Sequence, residues 1–186
     1  MSAEGPTAGN LTGSLLVAHP NLLDPNFRRT ILFLSHHSAD EGAVGLVINR
    51  PLKMTFGDVA RKKNVPSLQD VALFYGGPVA SDQVTLASLQ WRQDPHSVAF
   101  QSFMGNVEHV QIDPEWQPGL RAFVGYAGWS RGQLESEIAQ QAWLVLPPER
   151  RIIEMRNPET AWRGIMHQAG PLMKILSEAP DDPELN

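Results

Sequence analysis

The 186-residue sequence contains no cysteine. This absence excludes disulfides, thiol catalysis and cysteine-based zinc sites, and it favours a reducing cytoplasm as the location of the protein. Long apolar runs are missing too: no stretch of about 18 or more apolar residues occurs, which excludes a transmembrane helix. The N-terminal residues MSAEGPTAGN lack the basic and apolar regions of a signal peptide, so export is not expected.

An excess of basic charge is also lacking, and the net charge of the chain is −5. Five of the 20 acidic residues lie close to the two ends of the chain, at Glu4, Glu178, Asp181, Asp182 and Glu184. The other 15 balance the 15 lysines and arginines, so the body of the chain is about neutral. Because neither a basic face nor a helix-turn-helix pattern is found, direct DNA binding is not expected.

The sequence does contain 42% hydrophobic residues, enough for the core of one domain. Residues 1–9 and 178–186 are rich in Gly, Pro and acidic residues, which predicts disordered tails around a single domain at 10–177. Strand-like segments cluster in hairpins early in the chain, whereas helices lie mostly late. This order predicts an α+β fold with a largely antiparallel sheet rather than a doubly wound parallel sheet.

The strand predictions rest on short apolar runs bounded by turn residues. They are residues 15–18, 28–37, 43–49, 71–75, 84–89, 98–103, 107–112, 121–127 and 143–146, and the second and third form a hairpin. A short helix is predicted to begin at Thr55, with Asp58 as its capping-box partner. Further helices are predicted over 131–142, from Asn157-Pro158 to Gly170-Pro171, and over 172–177.

A glycine-rich segment, FVGYAGWSRGQLESEI at residues 123–138, runs from a strand into a helix, as phosphate-binding loops do. Its glycines, Gly125, Gly128 and Gly132, fit neither the dinucleotide-binding nor the P-loop spacing, and no lysine follows them. Two carboxylates near the helix start would repel an anion. The segment is therefore interpreted as a tight turn into a helix.

Ser130 in this segment has two interpretations. It can be the N-cap of the helix, with Gln133 returning a hydrogen bond as a capping box. Alternatively, GWSRG at residues 128–132 matches the G-x-S-x-G motif of hydrolases. A catalytic triad would need a later histidine, and only His167 follows, within a predicted helix. The cap is the favoured interpretation, and a hydrolase remains the alternative.

The histidines do not predict a metal site. His36 and His37 precede Asp40 and Glu41, but adjacent residues of a strand point to opposite faces and cannot share one ion. Both are interpreted as solvent-exposed residues at the end of a hairpin. No metal and no cofactor is expected.

A candidate ligand groove lies where two predicted strands end. Asn49 and Arg50 lie at the end of one apolar strand, and Gly76 and Gly77 lie at the end of another, so together with Arg28 they could line a groove. The simpler interpretation is that Asn49 hydrogen-bonds its own turn. None of these residues is assigned a catalytic role.

Four segments resemble the YqgE/AlgH family of small bacterial proteins. They are LTGSLLVAHPNLLDPNFRRTILFL, GAVGLVINRPL, FYGGPV and VGYAGWSRGQLESEIAQQAWLVLP, in the order of the family and over most of the chain. Two places depart from the family pattern, His19 and the region 91–118. The resemblance implies an α+β fold with a coiled, bent sheet. It implies no catalytic residues, since none is established for the family, which carries a transcriptional-regulator label.

The sequence therefore predicts a non-enzymatic cytoplasmic protein that acts through interactions, in regulation or in a complex. The alternative is a small-molecule-binding protein or hydrolase that uses a groove near Asn49, Arg50 and Gly77, or Ser130. The protein partner is not identified, no membrane association is expected, and a homo-oligomer is left open.

Overall fold

A computed structural model describes residues 9–60, 65–103 and 112–179. The strands are β1 (Leu15–Ala18), β2 (Ile31–Ser38), β3 (Gly42–Val47), β4 (Pro51–Thr55), β5 (Ala72–Tyr75), β6 (Val79–Arg92), β7 (Ser97–Phe103), β8 (Leu120–Trp129) and β9 (Trp143–Leu146). The α-helices are α1 (Phe56–Val59), α2 (Gln133–Ala139), α3 (Arg150–Ile153), α4 (Pro158–Gln168) and α5 (Pro171–Glu178). Pro66–Leu68 and Pro114–Gly119 form short 3-10 helices.

These strands form one sheet, whose main order is β4-β5-β8-β3-β2-β1-β9. The long strand β8 holds the sheet together, because β3, β5 and β6 all pair with it and β7 pairs with β6. Among the strand pairs of the described residues, β5 with β8 is parallel and the others are antiparallel. The predicted fold class is confirmed: the chain is a single α+β domain with a curled sheet and helices.

Glycines allow the end of β5 to approach β8 closely. A Cβ atom at Gly76 would collide with the carbonyl of Gly125, and one at Gly77 would collide with the backbone of Tyr126. Gly125 also has a φ of +67°, a left-handed conformation that other residues adopt only with strain. The glycine pair predicted to line a groove is thus required for the packing of two strands.

The two faces of the sheet bury separate clusters of apolar side chains. On β2, Ile31 and Phe33 point to one face and Leu32 and Leu34 point to the other, as strand alternation requires. The face of Ile31 and Phe33, called the first face, is covered by α3, α4 and the β6–β7 hairpin. The face of Leu32 and Leu34, called the second face, is covered by α2 and by the segment between β1 and β2.

Helix α2 is fixed to the second face by apolar packing and by one carboxylate. Leu134 is buried there, and the Oε2 atom of Glu137 accepts hydrogen bonds from the indole nitrogens of Trp129 at 2.9 Å and Trp143 at 2.8 Å. Phe27 packs against both indole rings. Glu137 therefore satisfies two buried donors and does not face a ligand.

Several sequence predictions about the elements are wrong or lie outside the described residues. Strand β2 begins at Ile31 and not at residue 28, because the backbone amide of Thr30 bonds the carbonyl of Phe27 in a turn. Helix α2 begins at Gln133, and its N-cap is Gly132 with a φ of +73°. The predicted strand 107–112 lies outside the described residues except for its last position, which is not in a strand.

The tail predictions fall mostly on residues that the structure does not describe. At the C-terminal end, Glu178 is the last residue of α5, so the first residue of the predicted tail is helical. Within the described ranges, no helix combines the length and the apolar character that crossing a membrane requires.

Candidate functional site

Asn49 extends the pairing of β3 with β2 beyond the last residue of β3. Its side chain is 4% exposed, its Oδ1 atom accepts from the Ile31 amide at 2.7 Å, and its Nδ2 atom donates to the Arg29 carbonyl at 3.0 Å. The interpretation that Asn49 bonds its own turn is therefore wrong. Its polar atoms are used to hold the backbone of the neighbouring strand.

Arg50 anchors the turn that precedes β2. Its Nη1 atom donates to the carbonyls of Pro25 at 3.2 Å and Asn26 at 2.8 Å, and its Nη2 atom donates to the carbonyl of Arg28 at 2.6 Å. The guanidinium lies 5.7 Å from the ring centre of Tyr75. Burial lowers the pKa of Arg50 from its ordinary value, and the neighbouring Arg28 charge acts in the same direction.

Three arginines line one open surface depression of about 490 Å³. It is bordered by Arg28, Arg29, Asn49, Arg50, Pro51, Leu52, Tyr75 and Glu159. A second depression of about 260 Å³ shares Arg28 and Arg29, and its other borders are Pro20, Asn21, Leu23, Trp162, Leu176 and Ala179. These two adjoining depressions are called the arginine groove below.

The structure brings together three of the five predicted groove residues. Arg28, Asn49 and Arg50 border the arginine groove. Gly76 and Gly77 do not border it, because they lie where β5 packs against β8. The predicted strand ended at Asn49, whereas β3 ends at Val47. The sequence could not place the glycine pair, because its position depends on a strand far along the chain.

Arg29, which the sequence analysis did not select, connects the groove to the last helix. Its Nη2 atom donates to the carbonyl of Ala179 at 2.9 Å, and its guanidinium lies 5.7 Å from the ring centre of Trp162. Its backbone has a φ of +59°, a left-handed conformation that is uncommon for a residue with a side chain. The adjacency of two arginines in the sequence was the signal that could have identified it.

His37 is buried, so its interpretation as a solvent-exposed histidine is wrong. Its Nδ1 atom accepts from the Leu11 amide at 3.1 Å, which places the proton on Nε2, and Nε2 lies 2.9 Å from Oε1 of Glu135. The pKa of Glu135 is lowered by the hydrogen bond from its own backbone amide and then by His37. His36 points the other way, is exposed, and lies 3.3 Å from Glu41.

Ser130 is exposed and bonds the side chain of Gln133. Its Oγ and its backbone nitrogen both donate to Oε1 of Gln133, each at 3.1 Å. The predicted return bond from Gln133 is therefore present, although Gly132 and not Ser130 is the N-cap. Across residues 9–60, 65–103 and 112–179, no histidine bonds Ser130, and no group of three or more acidic or histidine side chains could hold a metal ion.

A cleft on the first face was missed by sequence reasoning. Helices α3 and α4 cover only one end of this face, and the other end forms a depression of about 480 Å³. This depression, called the sheet cleft, is bordered by Ser35, His36, Val44, Leu46, Ala80, Gln83, Thr85, Phe100, Ser102, Gly125 and Tyr126. At or beside the sheet cleft, three large hydrophobic residues have exposed fractions of 36–39%: Val44, Val79 and Tyr126.

Two register shifts and one left-handed non-glycine residue lie around the sheet cleft. Ser35 is the extra residue of a bulge in the β2–β3 pairing, and the β6–β8 register shifts between Val79 and Val84. Ala80, inside that shift, has a φ of +50°. Bulges and left-handed non-glycine residues cost stability and occur often at functional sites. A tyrosine between glycines in a strand, Tyr126, was the sequence signal for this surface.

The fold and these surfaces define a single-domain α+β protein built on a curled sheet. A family model described as AlgH-like matches residues 15–174, and the chain belongs to this family, which confirms the resemblance seen in the sequence. A UPF0301 protein of Thermobifida fusca is 34% identical over 190 residues, covering 95% of this chain and 96% of that protein. A UPF0301 protein of Azoarcus is 35% identical over 184 residues, covering 92% and 95%.

Two solved structures share the fold. The solution structure of the AlgH protein from Pseudomonas aeruginosa has a TM-score of 0.64 and 26% identity, and covers 97% of this chain and 98% of that chain. The crystal structure of a protein from Corynebacterium diphtheriae has a TM-score of 0.67 over 96% and 95% of the two chains; at 23% identity it supports the fold alone.

Proposed function

We propose that this member of the AlgH-like family is a non-enzymatic cytoplasmic protein that binds a partner protein through the sheet cleft, in regulation or in a complex. The observation that carries the proposal is the uncovered end of the first face, where apolar side chains and irregular backbone meet. Elsewhere on this face the helices bury equivalent positions.

The shape and lining of the sheet cleft suit an apolar or aromatic side chain of a partner. Its volume of about 480 Å³ lies within the usual range of binding pockets. Val44, Leu46 and Phe100 supply apolar walls, while Gln83 and Thr85 supply uncharged polar atoms. Apolar pockets with a polar border are typical places where one anchor residue of a partner binds.

The side chains that could act in catalysis already form hydrogen bonds within the protein, which supports binding rather than catalysis. The hydroxyl of Ser130 donates to an amide oxygen, which is not a general base. The buried imidazole of His37 uses both nitrogens to join the N-terminal segment, β2 and α2. A regulatory role would then act through protein contacts, because the body of the chain has balanced charge.

The test is affinity purification of the tagged protein from its native cell, with the wild type compared to Val44→Lys and Tyr126→Ala. The matched control is Val59→Lys, which changes an exposed valine of α1 outside the cleft. We expect a specific partner to co-elute with the wild type and the control and to be lost from both cleft variants. Co-elution that survives in the cleft variants, with folding verified by circular dichroism, would contradict the proposal.

A second candidate function is the binding of an anionic ligand in the arginine groove. The sequence suggested a small-molecule groove near Asn49, Arg50 and Gly77, without specifying the charge of the ligand. The observation that favours it is that three guanidinium groups border one open depression. Titration of labelled protein with inorganic phosphate, followed by arginine side-chain NMR signals, tests it. Shifts confined to these arginines would support the site, and their absence up to high phosphate concentrations would oppose it.

A further inference from the structure

We propose that the arginine groove is the docking surface for the acidic C-terminal segment of this same chain, residues 180–186. The segment PDDPELN would bind the groove within one molecule and compete there with acidic ligands from outside. This inference rests on the second candidate function, the arginine groove as an anion-binding surface.

The path of the chain places the segment at the groove. Helix α5 ends at Glu178, and the carbonyl of the next residue, Ala179, accepts a hydrogen bond from Nη2 of Arg29 at 2.9 Å. Ala179 borders the smaller depression together with Arg28 and Arg29. The last described residue, Ala179, therefore lies beside two arginines, and the segment that follows it needs no long connection to reach them.

The length of the segment is sufficient to cross the groove. Seven residues in an extended conformation span up to about 25 Å. The two depressions adjoin at Arg28 and Arg29, and the guanidinium of Arg50 bonds the carbonyl of Arg28 at 2.6 Å. All three arginines are thus within reach of a chain that starts at Ala179. A tether this short gives an effective concentration in the millimolar range.

The charges of the two parts are complementary. The segment contains Asp181, Asp182 and Glu184 within seven residues, whereas among the described residues that border the groove Glu159 is the acidic one. Three arginines border the groove, so an acidic segment there meets opposite charge. Each exposed ion pair is weak, so docking depends on several pairs and on the tether.

The composition of the segment also favours docking in an extended form. Its two prolines, at positions 180 and 183, fix their backbone torsions and reduce the conformational entropy that binding must overcome. Leu185 can pack where Leu23, Leu176 and Trp162 border the smaller depression. An acidic segment with one apolar residue fits a groove that is basic on one side and apolar on the other.

The experiment uses the full chain with a spin label at its end. Since the protein has no cysteine, Asn186→Cys provides a single attachment site. We expect paramagnetic broadening of the side-chain NMR signals of Arg28, Arg29 and Arg50 at low salt. The broadening should fall at about 1 M salt, where the Debye length is about 3 Å. A labelled chain with Asp181→Asn, Asp182→Asn and Glu184→Gln is the matched control, and it should lose the broadening.

A second measurement separates this inference from the candidate function on which it rests. The peptide PDDPELN and inorganic phosphate are titrated into the wild type and into the chain with the neutral segment. We expect the chain with the neutral segment to bind the peptide more tightly than the wild type, because its own segment no longer competes for the groove. The Kd should differ roughly tenfold if the effective concentration of the tethered segment is about ten times the Kd of the peptide. If the peptide binds both chains equally and no broadening is seen, the docking of the segment is overturned, while the groove remains an anion-binding surface. Binding of neither probe to the neutral chain overturns both.

Discussion

Replacing Asn49 by alanine removes both hydrogen bonds that hold the end of β3 to the start of β2. The Ile31 amide and the Arg29 carbonyl then lose their partners. An unsatisfied buried backbone group costs about 1–3 kcal/mol, and Asn49 itself is only 4% exposed. Because Arg29 is half-buried and water can reach its carbonyl more easily, we expect a total loss of about 3 kcal/mol in the free energy of unfolding.

The assay for Asn49→Ala is urea denaturation followed by tryptophan fluorescence. With a slope of about 2 kcal/mol per molar urea, a loss of about 3 kcal/mol lowers the midpoint by about 1.5 M and leaves the slope unchanged. Asn21→Ala is the control, because Asn21 is exposed and its side chain makes no hydrogen bond within the described part of the chain. If Asn49→Ala stays within about 0.5 kcal/mol of the wild type, the structural role assigned to Asn49 is wrong.

Three further predictions concern the helix α2 region. Glu137→Ala leaves two buried indole nitrogens without an acceptor and should lower the free energy of unfolding, measured by urea denaturation, by about 2–4 kcal/mol. Glu137→Gln keeps an acceptor and should lower it by less. Equal losses in the two variants would contradict this. Because the pKa of Glu135 is lowered in the folded state, its ionised carboxylate stabilises the fold above the ordinary carboxyl pKa of 4.5, and this stabilisation is lost as the pH falls. The unfolding midpoints of the wild type and Glu135→Gln should therefore converge at low pH. A constant difference between the two midpoints from pH 7 to 3 would contradict this. Since Ser130 has no imidazole partner in the described residues, a fluorophosphonate probe should not label it, and labelling that Ser130→Ala abolishes would support the hydrolase alternative.

The sequence predicted best those elements whose signals are local. Strands β1 and β9 have the predicted bounds because each is a short apolar run between turn residues. The capping box of Thr55 and Asp58 is present for the same reason. Helix α4 begins at Pro158, as its proline signal predicts.

The predictions that failed depend on contacts between distant residues. Arg28 and Arg29 lie in a strand-like sequence but belong to the turn before β2. This turn is held by Arg50, more than twenty residues later, which donates hydrogen bonds to the carbonyls of Asn26 and Arg28. His37 is buried through partners 26 and 98 residues away in the sequence. Strand β6 has 14 residues and not the predicted six, because its bulge and Ala80 interrupt the alternation that marks a strand.

The two candidate surfaces differ in how their side chains are used, and the kinds of partner proposed for them differ for this reason. In the arginine groove, Arg29 and Arg50 donate to backbone carbonyls that fix their positions, so the charges are held in place before a ligand arrives. Fixed guanidinium groups favour a short acidic segment over duplex DNA, whose binding needs many cations spread along a face. In the sheet cleft, exposed apolar groups and strained backbone carry no charge and gain stability only when covered. The two surfaces share no bordering residue, so the partner proposed for the cleft and the segment proposed for the groove would not compete for the same side chains.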